Sequence, residues 1–320
     1  MIRILANDGI HPDGELLLSD AGFEVVTTKV AQEDLVKELN NYDALVVRSA
    51  TKVRKAEIDA SPNLKIIVRG GVGLDNIDVE YAESKGIKVM NTPKASSCAV
   101  AELAMGHIFT ISRMLQQSNR EMPQRGVSDF KKLKETFSDG GFQLKDKTIG
   151  IVGFGRIGQE LARIALGVGM KVIPVDLIER DMKIDLNIFN LNGTSLSVML
   201  RTVKLEDMLP QADIISVHMP FLGGKSLLGT EQFEKMKEGV VLINTSRGGA
   251  IGELDLLAAL NSGKVAGAGL DVFVDEPKPR TELLNHPHIS VTPHIGASTV
   301  EAQTAIAHEI ADILISFFGA

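Results

Sequence analysis

A single cysteine, Cys98, in 320 residues leaves no means to build a disulfide framework or a thiolate metal cluster, which fits a reducing compartment. Basic residues are in deficit. With 34 Lys and Arg against 41 Asp and Glu, the formal net charge is −7, and a sequence-independent nucleic-acid binder would need a basic face to displace counterions from phosphates. Long apolar runs are missing too: no stretch approaches the roughly 18 apolar residues of a membrane span. The amino terminus, Met1 to Ala6, enters a strand-like run without the basic region, apolar stretch or cleavage site of an export signal. These absences lead us to expect a cytoplasmic protein with no nucleic-acid or membrane partner. Internal repeats and low-complexity tracts are absent as well.

What is present, 44% hydrophobic and 23% charged residues, describes an ordinary globular chain, and 320 residues suit two domains of roughly 100 to 200 residues each. Short β-branched runs alternate with amphipathic stretches of about 10 to 15 residues, the pattern of parallel sheets covered by helices, so the expected fold class is α/β. Strands are expected at Arg3 to Leu5, Phe23 to Val26, Ala44 to Val47, Leu64 to Val68 and Ile87 to Met90, with helical segments such as Gln32 to Leu39 between them. A second series follows at Thr148 to Val152, Lys171 to Val175, Ile214 to Val217, Val240 to Ile243, Ala266 to Leu270 and Ile289 to Thr292. Six is the strand number of a full dinucleotide-binding fold. An amphipathic helix, about Thr299 to Phe318, is left over, and the five-strand unit lacks a closing helix, which implies that the chain returns to it. Ala99 to Asn119 should form one long apolar helix, either a core helix or the interface of a homodimer. Glu121 to Lys147 and part of Glu179 to Lys204 read as surface connections.

The segment Gly153-Phe154-Gly155-Arg156-Ile157-Gly158 is a G-x-G-x-x-G that follows a strand and opens a helix, the context that gives the motif its meaning. Gly153 permits the tight turn, Gly155 lets backbone approach a pyrophosphate, and Gly158 allows the helix to pack closely on the strand. The helix N-terminus then offers unpaired amides to the phosphates. Asp176 ends the next strand, where a carboxylate accepts hydrogen bonds from an adenosine ribose and repels a 2′-phosphate. That favours NAD over NADP, with Arg180 close by in sequence as the opposing signal.

Arg247, Glu276 and His294 each follow a strand of the second series, which places them at the carboxyl edge of the sheet with the glycine turn. Together they suit hydride transfer at a hydroxy acid. Hydride leaves a carbinol carbon only as the hydroxyl proton is removed, and an imidazole is an efficient base near neutrality. A carboxylate behind it fixes the tautomer and stabilises the imidazolium, and a guanidinium fork orients a substrate carboxylate.

Three segments carry a resemblance: Asn244-Thr245-Ser246-Arg247-Gly248-Gly249, Leu270-Asp271-Val272-Phe273-Val274-Asp275-Glu276-Pro277, and Pro293-His294-Ile295-Gly296-Ala297-Ser298. With the glycine turn, and in this order, they resemble the signature segments of the D-isomer-specific 2-hydroxyacid dehydrogenases. The resemblance implies the catalytic roles of Arg247, Glu276 and His294. It also implies cofactor contacts at Arg156, Ile157, Thr245, Asp271 and Gly296, and at His218 with the loop that follows it. The expected architecture is then a Rossmann NAD-binding domain over 95–294 and a discontinuous, flavodoxin-like substrate-binding domain over 1–94 and 295–320. Two further readings stay open: a reductase of short 2-keto acids, and an NADH-sensing binding protein, since some members of the family act by binding partner peptides.

In the first domain the resemblance extends to Val47-Arg48-Ser49-Ala50-Thr51-Lys52-Val53, to Arg69-Gly70-Gly71-Val72-Gly73-Leu74-Asp75-Asn76 and to Asn91-Thr92-Pro93. Arg48 and Arg69 end two strands. Gly70, Gly71 and Gly73 are expected to expose amides in a turn that can hold an anion. Paired arginines plus amides suit a small anionic substrate with carboxylate and phosphate ends, and Arg48, Ser49, Arg69, Val72 and Gly73 are its candidate ligands beside Arg247 and His294.

Two departures stand out: Gly252 replaces the acidic residue usual in the Arg-Gly-Gly segment, which could loosen a cofactor-side loop, and the stretch Asp181 to Arg201 is long. Since the sequence stops at Ala320, the extra C-terminal regulatory domain of some members is not expected. His286 and His288 flank Pro287 without acidic or thiol partners, so no metal site is assigned.

Overall fold

The computed structural model describes residues 1–186, 196–221 and 223–319, apart from the side chain of Asp139. The chain divides into two units, Met1–Ala99 with Ala297–Ala320, and Val100–Gly296. Both divisions lie a few residues beyond the sequence expectation. The first falls inside the helix Ser97–Ser112, and the second follows the turn after the last strand.

In the first unit, β1 (Arg3–Ala6), β2 (Glu24–Val26), β3 (Ala44–Val47), β4 (Ile66–Arg69) and β5 (Lys88–Asn91) form a parallel sheet in the order β2-β1-β3-β4-β5. This is the doubly wound order of a flavodoxin-like fold. Runs such as Ala44-Leu45-Val46-Val47 are apolar throughout because both faces are covered. Leu5, Leu45, Val47 and Ile67 pack with Leu35 and Leu39, while Ile4, Ala44, Val46 and Val68 share the opposite core with Ile306, Ile310 and Leu314 of the helix Val300–Phe318. That terminal helix is the cover missing from the first five strands. Its start is set by Thr299, whose Oγ1 accepts the N–H of Ala302 at 3.1 Å. The helix expected over Gln32 to Leu39 is shorter, Leu35–Glu38 running into a 3-10 turn at Leu39–Asn41.

The second unit contains β6 (Thr148–Val152), β7 (Lys171–Val175), β8 (Asp181–Leu186), β9 (Leu196–Arg201), β10 (Ile214–Val217), β11 (Val240–Asn244), β12 (Val265–Leu270) and β13 (Ile289–Val291). Among the described residues, six of these form one parallel sheet in the order β13-β12-β11-β10-β6-β7. Counted along that sheet the order is 2-1-3-4-5-6, not the 3-2-1-4-5-6 of the two-half dinucleotide fold. The strand that would lie beyond β7 is reduced to one parallel bridge, Val203 with Val175. The chain before that bridge forms the antiparallel pair β8–β9 instead of the surface connection expected, and residues 187–195 of the long Asp181 to Arg201 stretch lie outside the described residues.

The apolar segment Ala99 to Asn119 is not one helix. It divides into Ser97–Ser112 and Leu115–Arg125, bent by 56°. Met114 takes a left-handed φ of 52°, and the carbonyl of Ser112 is claimed by the N–H of Phe142 at 2.8 Å, so the helical ladder ends there. No glycine or proline marks the break. The connection expected over Glu121 to Lys147 likewise holds a helix, Phe130–Asp139. No single described helix is long and apolar enough to cross a membrane.

Candidate active site

All six strands of the second sheet run the same way, so whatever follows each of them collects at one edge. The glycine turn follows β6. Gly153 has φ +92°, and a Cβ there would stand 2.8 Å from the backbone of His218 and Met219. A Cβ on Gly158 would collide with the carbonyl oxygen of Gly153, whereas one on Gly155 would meet nothing within 4 Å. Gly155 is the N-cap of the helix Arg156–Val168 and contributes no side-chain cap, so the amides of Arg156, Ile157 and Gly158 face outward from the first turn. After β7, Asp176 accepts the N–H of Leu177 at 2.8 Å through Oδ1, and Arg180 Nη2 lies 3.6 Å from its Oδ2.

The three catalytic candidates are held by neighbouring backbone. Asn244, ending β11, accepts Ser246 N–H at 3.1 Å and donates to the carbonyl of Arg247 at 2.8 Å, a side-chain clamp on the arginine turn. Gly248 admits the loop after β12 at backbone contact distance, because a Cβ would collide with the carbonyl of Phe273. In that loop Glu276 Oε1 accepts the N–H of Phe273 at 3.0 Å, and Glu253 Oε1 accepts the N–H of Val274 at 2.8 Å. Glu276 Oε2 meets His294 Nδ1 at 2.8 Å. Burial pushes the Glu276 carboxyl up, but the His294 hydrogen bond, the Phe273 N–H and the nearby Arg247 charge outweigh it and hold the carboxyl below its usual range. Arg247, Glu276 and His294 thus converge at this edge, with the His294 ring 41% exposed and available to a ligand. His294 has φ 55°, a left-handed backbone that turns its ring back over the loop.

Asp271 fixes that turn. Almost wholly buried, its carboxylate accepts Thr292 Oγ1 at 2.6 Å, the N–H of Ile295 at 2.8 Å and the N–H of Gly296 at 2.9 Å. Three of about four carboxylate acceptor positions are thereby filled from within the chain. His218 has sheltered ring nitrogens. Its Nε2 meets Ser216 Oγ at 2.7 Å, and burial pulls the imidazole down to about 4, so it is neutral at pH 7 and unsuited to be the base. His286 and His288 precede β13, at the opposite edge, and no metal-binding cluster occurs among the described residues.

In the first unit, Arg48 and Arg69 end adjacent strands, Val47 standing in register with Arg69. Asp8 clamps the Arg48 loop, its Oδ2 accepting the N–H of Arg48 at 2.8 Å and of Thr51 at 3.1 Å, while Asn76 donates to the carbonyl of Arg48 at 3.0 Å. Ser49 lies inside this clamped loop. The glycine turn here differs from expectation: Gly70 N–H bonds the Val47 carbonyl at 2.8 Å and Gly71 N–H bonds Thr92 Oγ1 at 2.7 Å. Both amides are spent on holding the turn, so Val72 and Gly73 remain as its candidate donors.

A family model described as "D-isomer specific 2-hydroxyacid dehydrogenase, NAD binding domain" matches residues 105–296. The chain belongs to this family. The dehydrogenase is 40% identical over 322 residues to a hydroxypyruvate reductase of Thermotoga maritima, covering 99% of this chain and 98% of that protein. It is 41% identical over 322 residues to a D-3-phosphoglycerate dehydrogenase of Bacillus subtilis, covering 99% of this chain and 57% of that protein. The chain therefore spans just over half the length of that relative. Among solved structures, an acyclic imino acid reductase in complex with NADPH and D-Arg aligns with a TM-score of 0.84 at 27% identity, covering 99% of this chain and 97% of that one. An NADPH-dependent glyoxylate/hydroxypyruvate reductase of Sinorhizobium meliloti aligns at 0.81 and 27% identity, covering 100% and 96%.

The nicotinamide cofactor of this family fits the residues present. Beyond the glycine cradle, Nδ1 of His218 and Oγ1 of Thr245 are buried polar atoms with no protein partner, at the carboxyl ends of β10 and β11. Buried polar groups left so are the ones a ligand satisfies. At Gly252, where the carboxylate is missing, a Cβ would stand 2.7 Å from Oδ2 of Asp255, whose Oδ1 accepts Thr230 Oγ1 at 2.9 Å. An acid three residues on occupies the space. Asp8, Asn76, Asn244 and Glu253 hold the site loops without having been singled out for that role in the sequence; they bond loop backbone, and Asp8 and Asn244 also accept from Thr51 Oγ1 at 2.7 Å and Ser246 Oγ at 2.8 Å. An Asx-type residue just before a functional turn was the available signal for Asn244.

Proposed function

We propose that the dehydrogenase oxidises 3-phospho-D-glycerate to 3-phosphohydroxypyruvate with NAD, the entry step to serine. The observation that carries this is the pair Arg48 and Arg69 on adjacent strand ends, with the Val72 and Gly73 amides beside them, in a chain that also has Arg247, Glu276 and His294 gathered. Paired guanidinium groups and backbone amides recognise a dianionic phosphate far better than a hydroxyl. In this reading Arg48 and Arg69, with Ser49, Val72 and Gly73, hold the anionic substrate. Arg247 takes the substrate carboxylate. His294 removes the hydroxyl proton through Nε2 while Nδ1–H stays bonded to Glu276 Oε2, so positive charge forms on the ring next to a carboxylate. When bound, nicotinamide supplies the two-electron acceptor. Asp176 would bond the adenosine ribose and repel a 2′-phosphate, which favours NAD, and Arg180, drawn toward Asp176, is not required to offset it. Asp271 has about one acceptor position left for the cofactor end of the site.

A second reading, reduction of hydroxypyruvate or glyoxylate, draws on the Thermotoga maritima relative, which this chain matches over nearly its whole length. Steady-state kcat/KM with 3-phosphohydroxypyruvate, hydroxypyruvate and glyoxylate, each with NADH and NADPH, separates the two. Preference for the phosphorylated substrate with NADH supports the proposal, preference for the others supports the reductase, and tight NADH binding without turnover points to a dinucleotide-sensing binding protein. We also read the chain as a homodimer assembled through Ser97–Arg125, where Phe109, Leu115 and Met122 are exposed; sedimentation velocity tests this.

A further inference from the structure

The helix Ser97–Ser112 carries a histidine that the reaction as described does not use. His107 is 3% exposed and lies against β12 because Gly269 and Gly267 lack side chains: a Cβ on Gly269 would come within 2.6 Å of His107 Cβ, and one on Gly267 within 2.7 Å of Ile111. The two glycines, two apart on one strand face, receive two residues four apart on one helix face. The groove sets His107 beside the end of β13. Its Nε2 stands 3.1 Å from Thr292 Oγ1 and its Nδ1 2.9 Å from Ser290 Oγ.

Each proton in this row has one consistent place. An ionised carboxylate only accepts, so the Thr292 hydroxyl donates to Asp271 Oδ1 at 2.6 Å. With its proton so directed, Thr292 Oγ1 accepts from His107 Nε2–H, and His107 Nδ1 accepts from the Ser290 hydroxyl. Burial favours the neutral imidazole that this arrangement needs, against a smaller opposing pull from Asp271. Asp271 in turn holds the N–H groups of Ile295 and Gly296. The row therefore ends on the residues directly after His294.

We propose that His107 is a positioning residue: acting through Thr292 and Asp271, it fixes the left-handed turn that presents His294 to Glu276. This rests on the reading of His294 as proton acceptor. It makes the buried helix, and not only the loops of the sheet edge, part of what sets the geometry of the base. A hydrophobic residue of similar volume at 107 would fill the groove between Gly267 and Gly269 but leave the Thr292 oxygen and the Ser290 hydroxyl without their partner.

The test is a double-mutant cycle of His107→Leu and Thr292→Val in the full chain, with kcat, KM, NADH affinity and amide exchange at Ile295 and Gly296 as readouts. Each single variant is expected to lose about 10-fold or more in kcat with NADH affinity changed less than about 2-fold, and the double variant to lose no more than about 2-fold beyond the worse single one. His107→Gln, whose amide can donate to Thr292 and accept from Ser290, should restore most of the rate. Exchange at Ile295 and Gly296 should quicken about 10-fold in the Leu and Val variants. If the parent turns over no 2-hydroxy acid yet exchange quickens, positioning stands and the functional reading falls. Losses that multiply in the double variant, or unchanged exchange at both amides, overturn the proposal. Should His107→Leu fail to fold, the Thr292→Val and Thr292→Ser pair carries the same comparison, Ser keeping the hydroxyl.

Discussion

Glu276 Oε2 lies 2.8 Å from His294 Nδ1, and the same carboxylate is anchored through Oε1 by the N–H of Phe273 at 3.0 Å. A carboxylate held at both oxygens cannot swing away as the imidazole gains charge. Glu276→Gln keeps the shape and removes the charge, so kcat for oxidation should fall by about 100-fold or more while NADH affinity, read by fluorescence titration, stays within about 2-fold. The carboxyl is held below its ordinary range, so its stabilising contribution is present above the unfolded-state value and is lost as pH falls through the lower folded-state value.

The glycines of the dinucleotide turn separate binding from folding. A side chain at Gly155 has open space, whereas one at Gly158 collides with the carbonyl of Gly153. Gly155→Val should weaken NADH binding by about 10-fold or more with Tm nearly unchanged, and Gly158→Val should lower Tm by several degrees, on the order of 1–3 kcal/mol of overpacking. Calorimetry with and without NADH reads both.

Gly248 brings the Arg247 turn against Phe273 and Val274. In Gly248→Ala the loop carrying Glu276 must retreat, and we expect about a 100-fold loss in kcat/KM, because small misplacements of catalytic groups are costly. A loss under about 3-fold would show that the two loops move independently.

His218 gives the stability a pH dependence of definite sign. Its folded-state value of about 4 lies below the unfolded imidazole near 6.5, so the unfolded chain binds more protons between those values. Stability is full above about pH 6.5 and falls as pH drops toward 4, by roughly 3 kcal/mol from this group. His218→Gln should flatten Tm against pH in that window.

Much of this was legible in the sequence. The strand runs stood out because buried parallel strands are apolar throughout, and the unpaired terminal helix implied the chain's return. The glycine turn, Asp176, Arg247, Glu276 and His294 were legible because each sits just after a strand, where the topology forces it to one edge. What escaped notice depends on space. The break at Met114 comes from a carbonyl captured by Phe142, thirty residues away, and no glycine or proline stands at residues 112–114 to announce it. The anion-holding role expected of Gly70 and Gly71 failed because their amides are taken by Val47 and Thr92. His107 gives no signal within its apolar helix, since its partners Ser290 and Thr292 lie more than 180 positions on.

On the proposed reading, this dehydrogenase selects a phosphorylated substrate through arginines of its first unit. The most direct measurement is kcat/KM for 3-phosphohydroxypyruvate and for hydroxypyruvate, with NADH, in the parent and in Arg69→Ala. We predict a loss of about 100-fold for the phosphorylated substrate and less than about 3-fold for the other, the size of a lost charge-assisted contact. Equal losses on both substrates would rule out phosphate selection by Arg69.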